Sequence, residues 1–189
     1  MSLHAIASEH VRGLRRAEYD RMVELGLFEN ERVELVRGQI VTMSPQNNAH
    51  SLCVEKLNLT LVLALGHRAR VRCQLPFAPE GCDDSEPEPD FAVYPLDTPT
   101  NAHPARALLV VEVADTSLRY DRGVKASLYA EVGVDQYWLV NLVDRVVEVH
   151  EHPIGGVWSR TERVPAEGEL VVRAFPDVRL RVSDLLTPG

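Results

Sequence analysis

The run Leu108-Leu109-Val110-Val111-Glu112-Val113-Ala114 is apolar except for one carboxylate, the pattern of a buried strand made to carry a charge. An unpaired buried carboxylate costs several kcal/mol, so such a group is protonated, paired with a base or bound to a metal. Partners are available on both sides. Upstream, Glu88-Pro89-Asp90-Phe91-Ala92-Val93-Tyr94 sets Asp90 at the mouth of a second short strand, and downstream Asp121-Arg122-Gly123-Val124-Lys125 opens a predicted helix that carries a lysine. Two carboxylates from strands and an ammonium from the next helix make a site for magnesium or manganese, hard cations that take oxygen ligands. Such an ion polarises a phosphoryl oxygen and lowers the pKa of a bound water, while the lysine offsets charge developing at phosphorus. Spacing alone leaves a second reading open, in which Glu112 and Lys125 form a structural ion pair and Asp90 caps a turn.

Lysine is scarce. Of the 20 basic residues only Lys56 and Lys125 are lysines, so arginine is the default surface cation. A lysine kept against that background marks a place that needs a compact ammonium whose pKa can move. The net charge of -8 argues against a protein that coats nucleic acid by bulk attraction and leaves room for a local arginine-lined groove. The three cysteines, Cys53, Cys73 and Cys82, are an odd number with no close pair, which fits reduced packing residues better than a disulfide framework or zinc knuckle.

Length and apolar content, 189 residues and 45%, suit one domain over 1–189, with a core at about 17–150 and C-terminal strands in 157–182. Residues 1–16 mix His, Glu and Arg and resemble neither a secretory signal nor a transit peptide. The longest apolar segment, 57–65, is interrupted by Asn58 and Thr60 and is too short for a bilayer. A soluble, cytoplasmic protein without membrane contact is the expectation.

Periodicity predicts an amphipathic helix over 17–28 with Tyr19, Met22, Val23 and Leu27 on one side, then a hairpin over 32–43 turning at Arg37 and Gly38. A helix over 50–67 follows, with Leu52, Leu57, Leu61 and Leu65 as core candidates. Strands are predicted at 70–77, 91–94 and 107–113, a helix over 121–132 stopped by Gly133, and a hairpin of 137–142 with 146–150. Strands at 158–164, 170–172 and 178–182 complete the chain. Helices alternate with strands early and hairpins dominate late, which predicts an α/β fold built on a mixed sheet flanked by helices, with additional hairpins. The acidic run Asp83, Asp84, Glu86 and Glu88 reads as a solvated loop, and His150 with His152 shares a strand face without a third ligand. No glycine-rich phosphate loop, His-Glu-x-x-His helix or Gly-x-Ser-x-Gly elbow is present.

Taken in order, Glu34-Leu35-Val36-Arg37-Gly38, Pro89-Asp90, Val111-Glu112-Val113, Asp121 with Lys125 and Tyr129, and Gly133-Val134-Asp135-Gln136-Tyr137-Trp138 resemble the Uma-two family, restriction-endonuclease-like bacterial proteins of the PD-(D/E)XK nuclease superfamily. The likeness spans about residues 19–149. It implies a restriction-endonuclease-like sheet and a metal-dependent phosphodiesterase site: Asp90 and Glu112 as metal ligands, the Val113 carbonyl as a further ligand, magnesium or manganese as cofactor, and Lys125 as the charge-stabilising cation. Superfamily members commonly place a lysine two residues after the second acid, where this chain has Ala114. The resemblance moves that lysine to the following helix, where Lys125 would reach back. Glu34 and His50 fall on further recurring positions of the pattern and extend the catalytic set.

The function this implies is cleavage of phosphodiester bonds in DNA by an endonuclease, with a homodimer as the form that acts on two strands. The alternative is a nuclease-like scaffold that binds nucleic acid or protein without cutting. Asp121, Lys125 and Tyr129, spaced by four, are expected on one helix face.

Overall fold

The computed structural model describes residues 11–186, so most of the segment read above for a targeting signal lies outside the described residues. Six strands form the central sheet: β3 (Ala69–Cys73), β4 (Phe91–Pro95), β5 (Leu109–Ala114), β6 (Gln136–Asn141), β7 (Val146–Ile154) and β8 (Val157–Pro165), hydrogen-bonded in that order. Only β5 and β6 run parallel, with Val111 opposite Trp138 and Val113 opposite Val140; every other pair is antiparallel. A parallel pair needs a crossover. Here it is helical: α3 (Leu118–Tyr120), a π-helical turn (Asp121–Lys125) and α4 (Ala126–Glu131).

Alternation along β5 sorts its side chains. Leu109, Val111 and Val113 join a core with α2 (Asn48–Leu65), Val178 and Leu180 of β10 (Phe175–Arg181), and α5 (Val182–Leu185). Val110 and Ala114 point to the opposite face, among Ala126, Tyr129, Tyr137 and Leu139. By the two-residue period Glu112 faces the crossover. The mixed α/β sheet flanked by helices is the architecture the sequence implied. The extra hairpins are β1 (Val33–Val36) with β2 (Gln39–Thr42), and β9 (Glu169–Val172) with β10. Arg37 and Gly38 both hold positive φ in the first turn, and a Cβ on Gly38 would lie 2.8 Å from Gly13 Cα.

Two packing expectations are corrected. In α2 the buried stripe is Cys53, Leu57, Leu61 and Leu65, while Leu52 is 37% exposed; the helix begins at Asn48, and its rotation gives that first inward position to Cys53. The first helix, α1 (Arg16–Glu24), ends earlier than periodicity implied and buries only Tyr19. Gly26, at φ 75°, turns the chain away, which leaves Val23 and Leu27 exposed.

The acidic loop is not wholly solvated either. Glu86 pairs through its backbone with Leu35, and Gly38 N–H donates to the Asp84 carbonyl at 2.7 Å, so this segment serves β1 as a third strand would and draws Glu86 inside. Burial pushes the Glu86 carboxyl up to about 7, with the charge of Asp20 adding to the shift. The unfolded chain ionises Glu86 near 4.5 while the folded chain keeps its proton. Stability is therefore lost as pH rises between those values, by at most about 3 kcal/mol. Glu86→Gln is expected to raise stability at pH 8 by about 1–2 kcal/mol and to leave it unchanged at pH 4, as measured by urea unfolding at the two pH values.

Candidate active site

β4 and β5 are in register from Phe91/Val111 to Val93/Leu109. Before Phe91 the chain splays away from β5, which leaves the β4-facing edge of Val113 without a strand partner. Asp90 fills part of the gap. Its Oδ2 accepts the Val113 N–H at 2.8 Å, and its own N–H donates to Glu112 Oε2 at 3.3 Å. A strand residue's N–H and C=O point to the same side, so the Val113 carbonyl opens toward the space beside Asp90. His50 lies there, its Nε2 at 3.2 Å from Asp90 Oδ2. The histidine is delivered by the start of α2, where the Asn47 side chain caps the helix by accepting the His50 N–H at 2.9 Å.

Lys125 comes from the crossover. Its Nζ is 2.9 Å from Glu112 Oε1 and 3.0 Å from Glu34 Oε2, and it is 3% exposed. Tyr129, one turn on, donates to the same Glu112 Oε1 at 2.6 Å. Glu34 is also held by the Glu88 N–H at 3.0 Å and the Tyr120 hydroxyl at 3.3 Å. Asp90, Glu112, Lys125, Glu34 and His50 thus line one cavity of about 250 Å³ together with Val113 and Asp121. Asp121, Lys125 and Tyr129 do share a face, although a π turn rather than a plain α-helix sets Lys125 there. Three contacts brace that turn: Tyr137 OH to the Asp121 carbonyl at 3.2 Å, Trp158 Nε1 to the Ala126 carbonyl at 2.8 Å, and Arg122 Nε to Glu148 at 2.9 Å. Such turns recur at functional sites. Tyr137→Phe keeps the ring and removes the first brace; a stability loss of about 1 kcal/mol in denaturant unfolding is expected.

Electrostatically the site is overfull of carboxylates. Burial pushes Glu112 up to about 8 against the pull of Lys125, and burial likewise lifts Asp121 to about 6. Desolvation opposes the charge on Lys125, yet Glu112, Glu34 and Asp121 together outweigh it and hold its pKa well above the ordinary value. Burial acts on Asp90 in the same upward sense as on Glu112, but the His50 contact, the Val113 N–H and the Gln74 amide outweigh it and bring Asp90 below its usual range.

Whether these residues fit a cation is a question of donor chemistry. Among the described residues no three His, Cys, Asp or Glu side chains gather closely enough to enclose an ion, because Lys125 occupies Glu34 and Glu112 and the imidazole abuts Asp90. Magnesium does not require enclosure: it keeps several waters and takes one or two carboxylates. Asp90, Glu112 and the Val113 carbonyl form such an oxygen-only set. The residues fit.

The other candidates separate. His150 bonds Thr161 at 3.0 Å and stacks on Tyr137, whereas His152 turns at φ 56° to meet Arg173. Two members of the network gave no sequence signal. Tyr120 precedes the predicted helix, and Gln74, which donates to Asp90 Oδ1 at 3.1 Å, ends a strand as an ordinary polar residue would.

Residues 16–183 match the model of Uma2, described as "Putative restriction endonuclease". The chain belongs to the Uma2 family. A solved structure of "a putative nuclease belonging to DUF820 from Anabaena variabilis ATCC 29413" superposes with a TM-score of 0.67 at 18% identity, covering 82% of this Uma2 chain and 89% of that one. At that identity the likeness shows the fold, which is restriction-endonuclease-like. The type IIG restriction endonuclease BpuSI aligns over 72% of this chain and 14% of its own, with 25% identity and a TM-score of 0.39. No curated protein matches. Among the described residues no helix of this Uma2 chain is long and apolar enough to cross a membrane.

Proposed function

We propose that this Uma2 protein is a magnesium- or manganese-dependent endonuclease that hydrolyses phosphodiester bonds in DNA. One observation carries the reading. Lys125 reaches Glu112 at 2.9 Å from the following helix and so supplies the ammonium that Ala114, two residues after the acid, cannot. Asp90 and Glu112, with the Val113 carbonyl, would hold the cation. When bound, the ion supplies Lewis-acid polarisation of a phosphoryl oxygen and a water of lowered pKa.

The chain's own groups do the rest. The Lys125 ammonium, kept protonated by Glu112 and Glu34, offsets negative charge that grows on the phosphoryl oxygens. Glu34, through its bonds to Lys125, Tyr120 and the Glu88 N–H, fixes where that ammonium points. Burial opposes a charge on His50, yet the Asp90 contact outweighs it and raises the imidazole pKa, so His50 steadies Asp90 Oδ2 from its Nε2. Two copies pairing as a homodimer would bring two such sites to the two strands of a duplex.

The test is a panel of single-stranded, duplex and branched DNA incubated with the purified protein and either metal. Cleavage that EDTA abolishes is expected. Intact substrates under every condition would end the catalytic reading. The second reading, a scaffold that binds nucleic acid or protein, is favoured by one feature, the replacement of the usual lysine by the fully buried Ala114. Titration with Mn²⁺ separates the two, since a binding scaffold has no need of the ion.

A further inference from the structure

Gln74 stands where β3 ends, with φ 52°. Left-handed backbone is costly for a residue with a Cβ, and glycine or asparagine takes it far more readily than glutamine does. The position is therefore better suited to other residues, unless the side chain contributes something. It does: the Gln74 N–H donates to the Asp90 carbonyl at 3.0 Å, and Nε2 donates to Asp90 Oδ1 at 3.1 Å. Both bonds end on the same residue, one step beyond the Cys73/Phe91 pair that closes the β3–β4 ladder.

The bonds to Asp90 divide by oxygen. Oδ2 is committed to the Val113 N–H at 2.8 Å and faces His50 Nε2 at 3.2 Å. A carboxylate oxygen has two lone-pair directions. Among the described residues Oδ1 accepts from Gln74 alone, so one of its directions stays available while the amide prevents the group from rotating. We propose that Gln74 is a positioning residue, whose amide locks the Asp90 carboxylate so that Oδ1 keeps a lone pair for a divalent cation; this rests on the metal-dependent reading above. A group that orients a ligand in this way typically changes metal affinity 10–100-fold when removed. A residue that only makes the turn would not.

Three variants distinguish the roles, with Mn²⁺ affinity read by electron paramagnetic resonance of the free ion and folding read by thermal unfolding. Gln74→Gly relieves the backbone and deletes the amide: unfolding at or above the wild-type temperature, with Mn²⁺ affinity about tenfold weaker, is expected. Gln74→Asn tolerates the same φ but is one methylene short of Asp90 and should weaken Mn²⁺ binding to the same degree. Gln74→Glu places a second negative charge against Oδ1 and should disturb the carboxylate most. Wild-type Mn²⁺ affinity in the glycine and asparagine variants would overturn the proposal.

A metal-free measurement keeps the inference separate from the nuclease reading. In wild type, the Gln74 side-chain NH₂ protons should be shifted downfield and slow to exchange in ¹H–¹⁵N spectra, and Asp90→Ala should return them to the position of a free amide. If wild type takes up no Mn²⁺, the metal reading fails, and these signals still decide whether Gln74 locks Asp90: shifted protons that depend on Asp90 support it, unshifted protons overturn it.

Discussion

Lys125→Ala is expected to destabilise the fold by about 3–5 kcal/mol, more than any other single substitution in the site. The ammonium lies 2.9 Å from Glu112 and 3.0 Å from Glu34, and all three side chains are at most 5% exposed. Removing it strands two carboxylates away from water. Breaking such a pair costs far more than the pair contributes, because the surviving charge has no solvent to fall back on. The raised pKa of Glu112, about 8, tempers the penalty by letting that acid take a proton at neutral pH. Glu34 would be left with the Tyr120 hydroxyl and the Glu88 N–H as its hydrogen-bond donors. A double variant, Lys125→Met with Glu34→Gln, substitutes an unbranched side chain and a neutral amide, so it should recover at least half of the loss. Chemical denaturation of the single and double variants checks both statements, and an alanine variant as stable as wild type would contradict them. The double variant also isolates chemistry from folding: it should fold and fail to cut DNA.

Spacing offers the structural ion pair of Glu112 with Lys125 as one of two readings, and the contacts at 2.9 and 3.0 Å show that the pair is formed beside the proposed chemistry. What the sequence does expose is the cost of a charge in an apolar strand, so Glu112 is conspicuous and its search for a partner points to Asp90 and Lys125. Strand alternation then puts Glu112 on the crossover face, and the helix period puts Tyr129 beside Lys125. Both rules are local, and both hold.

The features that escaped depend on long-range geometry. The π turn carries no specific sequence mark, since Asp121 to Lys125 reads as a helix with one glycine until Tyr137, Trp158 and Glu148 brace it from outside. Tyr120 lies before the expected helix start, and its hydroxyl matters only because β1 passes close enough to present Glu34. Glu86 looked solvated because acidic loops usually are; pairing with Leu35 buried it. In each case the deciding contact joins segments distant in sequence, where periodicity carries no information.

Asp90→Asn is expected to weaken Mn²⁺ binding by at least about 100-fold and to remove detectable cleavage, while lowering stability by only about 1–3 kcal/mol. The change is isosteric, so the cavity keeps its shape. Its consequences come from charge and from hydrogen bonding. Asp90 accepts from the Val113 N–H at 2.8 Å and the Gln74 amide at 3.1 Å; an asparagine can satisfy only one with its oxygen and must turn an NH₂ toward the other donor. That mismatch sets the stability cost. The loss of a negative charge acts separately, because a carboxylate is the stronger ligand for a hard cation and a neutral amide leaves the ion with Glu112, already bonded to Lys125 and Tyr129. Calorimetric titration with Mn²⁺ beside a cleavage assay distinguishes the effects. A variant that binds and cuts as wild type does would remove Asp90 from the proposed metal site and leave its bond to the Val113 N–H, where the β4–β5 pairing ends, as a structural contact only.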